Sequence, residues 1–357
     1  MVPNISFVLL ATQTAIIVGS MIAKSHSSKS RSIKSEMPKT GISKAGISKT
    51  EFSKSGIYKS GNVAIVGRPN AGKSTLVNAL TGHKVAIVSR LPQTTRNRIR
   101  GIVHREEGEI VFIDTPGIIR RDSALTRQMM DEVVHALDEI DVLVLIVDVG
   151  KKFGAGDRHA LDLAGKFSGP RFLLLNKIDI NAKETLLPMM DLYGKALQFA
   201  EIIPISAKKG EGHALLIEKL LEHLPQGEAR FPEDEYTDQP ERFLASEIIR
   251  EKVLHHTREE VPHAVAVLLD NWDEKGKLIR IRATIYVERD GQKGIIIGKG
   301  GAMLKEIGTQ ARKELEVIFG VKIFLELFVK AQANWRETPA LVRQLDWRLQ
   351  LDQLADE

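Results

Sequence analysis

The rhythm of apolar and polar positions changes three times along this chain. Residues 5–23, from Ile5 to Ala23, are almost wholly apolar and carry no charge. A bilayer-spanning helix needs about 20 apolar residues, so this run is borderline, and Thr12, Gln13 and Thr14 weaken its centre. From Lys24 to Lys59 lysine recurs every fifth residue among Ser, Gly, Thr and Ile. That composition holds too little apolar surface to offset its ordering entropy, which predicts a disordered tail over 24–60. Beyond it, short aliphatic runs at 62–66, 109–114, 142–147, 172–176 and 202–205 read as buried strands. Helical patterns at 74–80, 125–137 and 214–224 are interleaved with them. Strands alternating with helices predict a mostly parallel sheet covered on both faces, over 61–226.

A polar stretch with two prolines, 227–240, reads as a linker. The pattern after it is different. Residues 242–256 form an amphipathic helix, 264–271 and 278–287 are strands, and a glycine loop at 294–301 leads into a helix over 302–318 and a strand over 322–327. With a short helix before the glycine loop, the order over 241–331 is α-β-β-α-α-β, a small α+β module. Residues 332–357, with Trp335 and Trp347, read as a helical tail.

Charge changes little in this picture except at the N-terminus. The chain of 357 residues has a formal charge of +5. Residues 1–60 hold nine Lys or Arg against two Glu, a surplus of seven, so the rest carries −2. The basic character belongs to a tail, and a nucleic-acid role must rest on a local site. Cysteine is absent, which excludes disulfides and cysteine-ligated zinc. The apolar segment lacks the basic n-region of a secretory signal. If it inserts, the lysines after it keep everything downstream on the inner side.

The strongest chemistry is GRPNAGKST at 67–75, a P-loop set between a strand and a helix. Gly67 and Gly72 let successive N–H groups, including those of Asn70 and Ala71, turn toward phosphate oxygens. The helix start adds partial positive charge. Lys73 reaches the β- and γ-phosphates, the Ser74 hydroxyl ligates Mg²⁺, and Thr75 follows. This motif alone allows ATP or GTP. Asp114-Thr-Pro-Gly117 ends another strand, where a carboxylate holds a Mg²⁺ water and the Gly117 N–H faces the γ-phosphate. Asn176-Lys177-Ile-Asp179 ends a third. The Asp179 carboxylate can accept from both N1–H and the 2-amino group of guanine, a donor pair that adenine lacks. Ser206-Ala207-Lys208 follows the next strand, placed for guanine O6. Four motifs in this order, each at a strand end, select a guanine nucleotide.

Region 62–225 resembles the translation-factor-like bacterial GTPases, and within them the Era family. The residues that carry the resemblance are GRPNAGKSTL at 67–76, PQTTRNRIRGI at 92–102, DTPG at 114–117, NKID at 176–179 and SAKKGEG at 206–212. It implies a first switch loop at 92–96 whose threonine completes Mg²⁺ coordination. Thr95 is the first choice and Thr94 the alternative. Lys73, Thr95 and Gly117 are then the catalytic candidates, and GTP, GDP and Mg²⁺ the ligands. Ile118 stands where Ras-like enzymes carry a water-orienting glutamine, so slow unaided hydrolysis is expected. Arg120 and Arg121 offer cationic help, or a solvated loop face. Asn70 lies where related enzymes bind K⁺.

The GxxG loop Gly298-Lys299-Gly300-Gly301, in its α-β-β-α-α-β setting, resembles a type II KH domain, a module that clamps about four nucleotides. Ile295, Ile296 and Ile297 are expected in the core, with a place near the base platform as the alternative for Ile297. Arg280 and Arg282 share a strand face, for phosphate or for solvent. The Era family joins such a domain to its GTPase, and the two cover about 62–331. The resemblance implies a monomer that binds small-subunit (16S) ribosomal RNA and acts on the 30S subunit in ribosome assembly. It also implies a cytoplasmic protein with peripheral association at the inner membrane. Two other readings stand beside it: an RNA-binding protein that does not hydrolyse nucleotide, and a GTPase anchored to membrane by residues 1–23.

Overall fold

The first strand, β1 (Lys59–Val66), starts two residues before the predicted onset of order. Its pairing with β3 (Gly108–Asp114) begins at Lys59 itself, and the Lys59 ammonium donates to the Leu224 carbonyl at 3.0 Å. The last lysine of the five-residue repeat is therefore part of the fold. The structure, a computed structural model, describes residues 57–117 and 122–348. The expectations for residues 1–23 and for the tail up to residue 56 lie outside them. Among the described residues no helix is long and apolar enough to cross a membrane.

After β1 come α1 (Lys73–Thr81), β2 (Ile99–Arg105) and β3, then α2 (Ala124–Asp138), β4 (Val142–Asp148) and α3 (Ala155–Gly165). The domain closes with β5 (Arg171–Asn176), α4 (Leu186–Ala196), β6 (Glu201–Ile205) and α5 (His213–His223). The sheet order is β2-β3-β1-β4-β5-β6. All neighbours are parallel except β2 and β3. Along β1 and β4 alternate side chains enter two cores. Val63, Ile65, Val144 and Ile146 pack under α1 and α5, while Val66, Leu143 and Leu145 pack under α2, α3 and α4. Strands buried on both faces read as continuous aliphatic runs. Strand β2 escaped that reading because it is an edge strand with Arg100, His104 and Arg105 interrupting its apolar positions.

The stretch read as a linker is fastened to this sheet. Glu109, fully buried on β3, accepts from the backbone N–H groups of Arg230 and Phe231, each at 3.1 Å. The Ile102 N–H donates to the Tyr236 carbonyl at 2.9 Å, and the Tyr236 ring stacks on His83 at 4.0 Å.

Next come α6 (Glu241–His256), β7 (Ala266–Lys275), β8 (Leu278–Val287), α7 (Asp290–Ile297), α8 (Ala302–Phe319) and β9 (Lys322–Ala331), the predicted order. In the sheet β7-β8-β9 the first pair is antiparallel and the second parallel. Ile248, Ile249 and Val253 of α6 pack with Ile307, Ala311 and Leu315 of α8 over Ile281, Ala283 and Ile285. The tail then crosses back toward the first domain. Trp335 is fully buried, with its indole N–H on the Ala264 carbonyl at 2.7 Å. A short α9 (Pro339–Gln344) follows. Trp347 reaches the core of the first domain beside Phe243.

Candidate nucleotide site and nucleic-acid loop

The P-loop leaves the C-terminal end of β1 and turns into α1 through Gly72, whose φ of 110° an L side chain rarely adopts. A Cβ on Gly72 would stand 2.2 Å from the Asn176 amide nitrogen, and one on Gly67 would stand 2.4 Å from the Ile146 carbonyl. The loop therefore lies flat against the ends of β4 and β5. Asn176 is the brace. Its amide donates to the Ala71 carbonyl at 2.7 Å and accepts from the Ala207 N–H at 2.9 Å. One side chain thus ties the phosphate loop to the loop that carries Ser206, Ala207 and Lys208.

Three oxygens converge at the foot of α1. The Ser74 hydroxyl donates to Asp114 Oδ2 at 2.6 Å and lies 2.9 Å from the Thr95 hydroxyl, which reaches the same carboxylate oxygen at 3.3 Å. Asp114 Oδ1 is buried without a hydrogen-bond partner. Two hydroxyls and a carboxylate with a free buried oxygen are the hard donors Mg²⁺ takes when phosphates supply its remaining ligands. Among the described residues no group of three or more His, Cys, Asp or Glu side chains can hold a metal ion. Thr94 faces elsewhere, its hydroxyl donating to the Leu91 carbonyl at 2.6 Å.

The Lys73 ammonium is buried and bends back to the Gly67 and Arg68 carbonyls, both at 3.3 Å. Burial pushes its pKa down, partly opposed by Asp114. Burial pushes the Asp114 carboxyl up, opposed by Lys73 and by the Ser74 and Thr95 hydroxyls. Each charge is short of a counter-charge that a nucleotide and its metal would supply: anionic phosphate beside Lys73, a cation beside Asp114. Gly117 lies against the P-loop, where a Cβ would be 2.9 Å from the Pro69 ring. Asn70, with φ of 63°, donates from its amide to the Arg90 carbonyl at 2.6 Å. Ile118, Arg120 and Arg121 lie outside the described residues.

At the other end of the site, Asp179 Oδ1 accepts from the Ser206 hydroxyl at 2.8 Å, which aims the carboxylate. The Lys177 ammonium pairs with Asp148 at 2.7 Å, and Lys208 is exposed at the rim. Phosphate loop, switch threonines and base loop line one cavity of about 1010 Å³, which also holds Thr75. The segment between α1 and β2 lines it as well, and a further wall comes from the second domain, with Glu251, Lys252 and His255 on the last turns of α6 and Arg258 just beyond it.

That wall is what sequence reasoning missed. The charged face of an amphipathic helix ordinarily meets water, yet Glu247, Arg250, Glu251 and Lys252 of α6 are all buried. Arg250 and Glu251 meet the segment between α1 and β2, while Glu247 pairs with Arg250 and Lys252 with Glu251 and Glu314. Glu251 accepts from the Val88 N–H at 2.9 Å, and Lys84 bridges Glu251 and Glu314 of α8. Arg96 is buried too. It donates to the Val265 carbonyl at 2.7 Å and sits 5.7 Å over the Trp335 ring. Burial, then the Arg250 charge, push its pKa down to about 9. The readable signal is a run of charges on both partners, at 84–98 and 247–252, but nothing in the sequence pairs the two.

In the second domain, α7 ends at Gly298 with φ of 71°, and a Cβ there would stand 2.7 Å from Met303 Cβ. Gly300 and Gly301 also have positive φ, 59° and 80°, but face open space. Together with exposed Lys299 they form a bare backbone turn before α8, which a phosphate chain can approach closely. Only Ile296 of the three isoleucines is fully buried; Ile295 is 49% exposed and Ile297 half-buried. A helix turns successive side chains by about 100°, so three in a row cannot share one core. Arg280 and Arg282 lie over Phe324 and Phe328 on the sheet face opposite the helices.

A P-loop, a magnesium-type oxygen cluster, a guanine-type carboxylate and an appended GxxG module define a P-loop GTPase joined to a KH domain. Family models agree: "50S ribosome-binding GTPase" matches residues 62–177 and "KH domain" matches 260–336. GTPase Era of Staphylococcus haemolyticus is 46% identical over 288 residues, covering 80% of this chain and 96% of that protein. GTPase Era of Syntrophus aciditrophicus is 48% identical over 289 residues, covering 80% and 94%. A crystal structure of Era with MgGDPNP and nucleotides 1506–1542 of 16S ribosomal RNA superposes with a TM-score of 0.78. It is 41% identical and is covered over 99% of its length by 81% of this chain. Aquifex aeolicus Era, in a variant bound to GDP·AlF4⁻, gives 0.77 at 40% identity over the same shares. The chain belongs to the Era family. It is a GTPase that uses GTP, GDP and Mg²⁺.

Proposed function

We propose that this GTPase binds small-subunit ribosomal RNA through Gly298–Gly301 and the adjoining helices, and that GTP times its residence on the assembling 30S subunit. The carrying observation is the bare GxxG turn ahead of α8 in a chain that covers nearly the whole of an Era solved with 16S ribosomal RNA. The broad GTPase model is described by the 50S subunit, but the RNA in that complex belongs to the small one.

In this reading Lys73 and the N–H groups of Asn70 to Thr75 hold the phosphates. Ser74 and Thr95 ligate Mg²⁺, and Asp114 holds it through water. Mg²⁺, when bound, draws charge from the phosphate oxygens. Asp179 reads the guanine edge, with Ser206 orienting it and the Ala207 and Lys208 backbone beside O6. Asn176 fixes the distance between phosphate loop and base loop, and Lys177 covers the base. The Gly117 N–H faces the γ-phosphate, and Asn70 contributes to a K⁺ site. The working divisions are a GTPase domain over 61–226, a linker over 227–240, a KH domain over 241–331 and a tail over 332–357. The protein acts as a cytoplasmic monomer. GTP must bind the RNA-competent arrangement more tightly than GDP does, and the contacts of α6 with the switch segment offer the route.

In-cell crosslinking with mapping of the bound RNA tests the assignment. Reads concentrated near the 3′ end of small-subunit RNA are expected. Reads spread evenly over unrelated RNAs would sink the ribosomal role and leave the GTPase intact.

A further inference from the structure

The switch segment is held in place from the second domain and the tail. Of the residues 94–97, three are gripped from outside the GTPase core. The Arg250 guanidinium bonds the Thr94 carbonyl, Arg96 donates to the Val265 carbonyl at 2.7 Å, and the Asn97 amide donates to the Leu345 carbonyl at 2.9 Å. Only Thr95 turns inward, to Ser74 and Asp114. Arg250 is itself fixed. Its side chain is 2% exposed, and it makes a two-pronged pair with Glu247 at 2.7 and 2.6 Å. The Thr94 carbonyl shares a rigid plane with the Thr95 nitrogen and Cα, so holding that oxygen sets the direction from which the Thr95 hydroxyl approaches the metal position.

We infer that Arg250 is a positioning residue for the GTPase: the RNA-binding domain reaches across and presents Thr95 to the magnesium of bound GTP. The inference rests on the proposed role of Thr95. It assigns to the first KH helix a part in nucleotide selection that its charged pattern does not announce. A switch threonine engages the metal only while the γ-phosphate is present. Arg250 therefore strengthens the GTP state and leaves the GDP state alone, and anything that shifts α6 lowers GTP affinity.

The test is equilibrium binding of a fluorescent GDP and a fluorescent non-hydrolysable GTP analogue to the full chain in saturating Mg²⁺. The variants are Thr95→Ala, Glu247→Gln, Arg250→Lys and the double variant Arg250→Met/Glu247→Gln. The double variant avoids a buried carboxylate without a partner, and its GDP binding reports that it is folded. A charge-assisted hydrogen bond lost there predicts GTP-analogue affinity lower by about tenfold to a hundredfold, with GDP affinity unchanged. Glu247→Gln alone keeps the Thr94 contact and should lose less, and Arg250→Lys should recover part of the loss. Adding Thr95→Ala to the double variant should cost little more, because both act through one hydroxyl. Equal losses for both nucleotides, or no loss, overturn the inference while the Thr95 assignment stands. A neutral Thr95→Ala overturns that assignment as well.

Discussion

Replacing Asp179 by Asn tests the base assignment most sharply. The carboxylate is half-buried in the cavity wall, and its Oδ1 accepts from Ser206 at 2.8 Å, so its direction is set before any nucleotide arrives. Two bonds from guanine to an ionised acceptor are each worth about 1.5–3 kcal/mol. Asn keeps one acceptor and turns the other position into a donor that faces the guanine 2-amino group. One bond is lost and one donor is opposed, a cost of about 2–4 kcal/mol, or about 30-fold to about 1000-fold in affinity. Xanthine carries a carbonyl where guanine carries that amino group, so the same change should favour xanthosine nucleotides. Titrating wild type and Asp179→Asn with labelled GDP and labelled xanthosine diphosphate measures both effects. A variant that binds GDP like wild type and gains nothing for xanthosine diphosphate would refute the assignment of Asp179 as the guanine reader.

Other expectations follow from the same geometry. Gly300→Asp forces a side chain into a φ of 59° and sets a carboxylate beside the RNA backbone, so RNA affinity in a filter-binding assay should fall at least about tenfold while GTP affinity holds. Single-turnover hydrolysis should run faster in KCl than in NaCl if K⁺ acts at Asn70; equal rates remove that part of the proposal. His263 has its pKa held below 6.5 by burial, then by the Arg96 and Arg336 charges. The folded chain thus binds fewer protons there than the unfolded chain, so stability from this residue is present above pH 6.5 and is lost as pH falls through the window below it. Urea unfolding at pH 7.5 and 5.5 should show a smaller acid loss in His263→Gln than in wild type, and equal losses would contradict it.

That the candidate site residues come together was legible because each of their motifs sits at the end of an aliphatic strand, and local sequence carries both the strand and the loop. Asp114, Asp179, Lys73 and Ser74 arrive where their spacing places them. The α-β-β-α-α-β order of the second domain was legible for the same reason. What local pattern cannot carry is pairing at a distance. The charges on α6 look like a solvated face until Thr94, Val88 and Lys84 are brought against them from more than 150 positions away. Asn176 was read for what it follows in sequence, whereas its two amide bonds show a brace between loops. Edge strand β2 was hidden by its arginines, and the linker by its prolines, although backbone hydrogen bonds hold both to the sheet.

Trp347 sets an order of events during synthesis. Its ring lies in the core that α1, α5 and the central strands of the GTPase domain share, beside Phe243. A chain is made from the N-terminus onward, so every strand of that domain leaves the ribosome before this residue exists. The contact that joins Phe243 and Trp347 to this core therefore forms last, after the KH domain has been made and the tail has folded back. A nascent chain cut short before residue 347 leaves Phe243 without the ring that packs beside it.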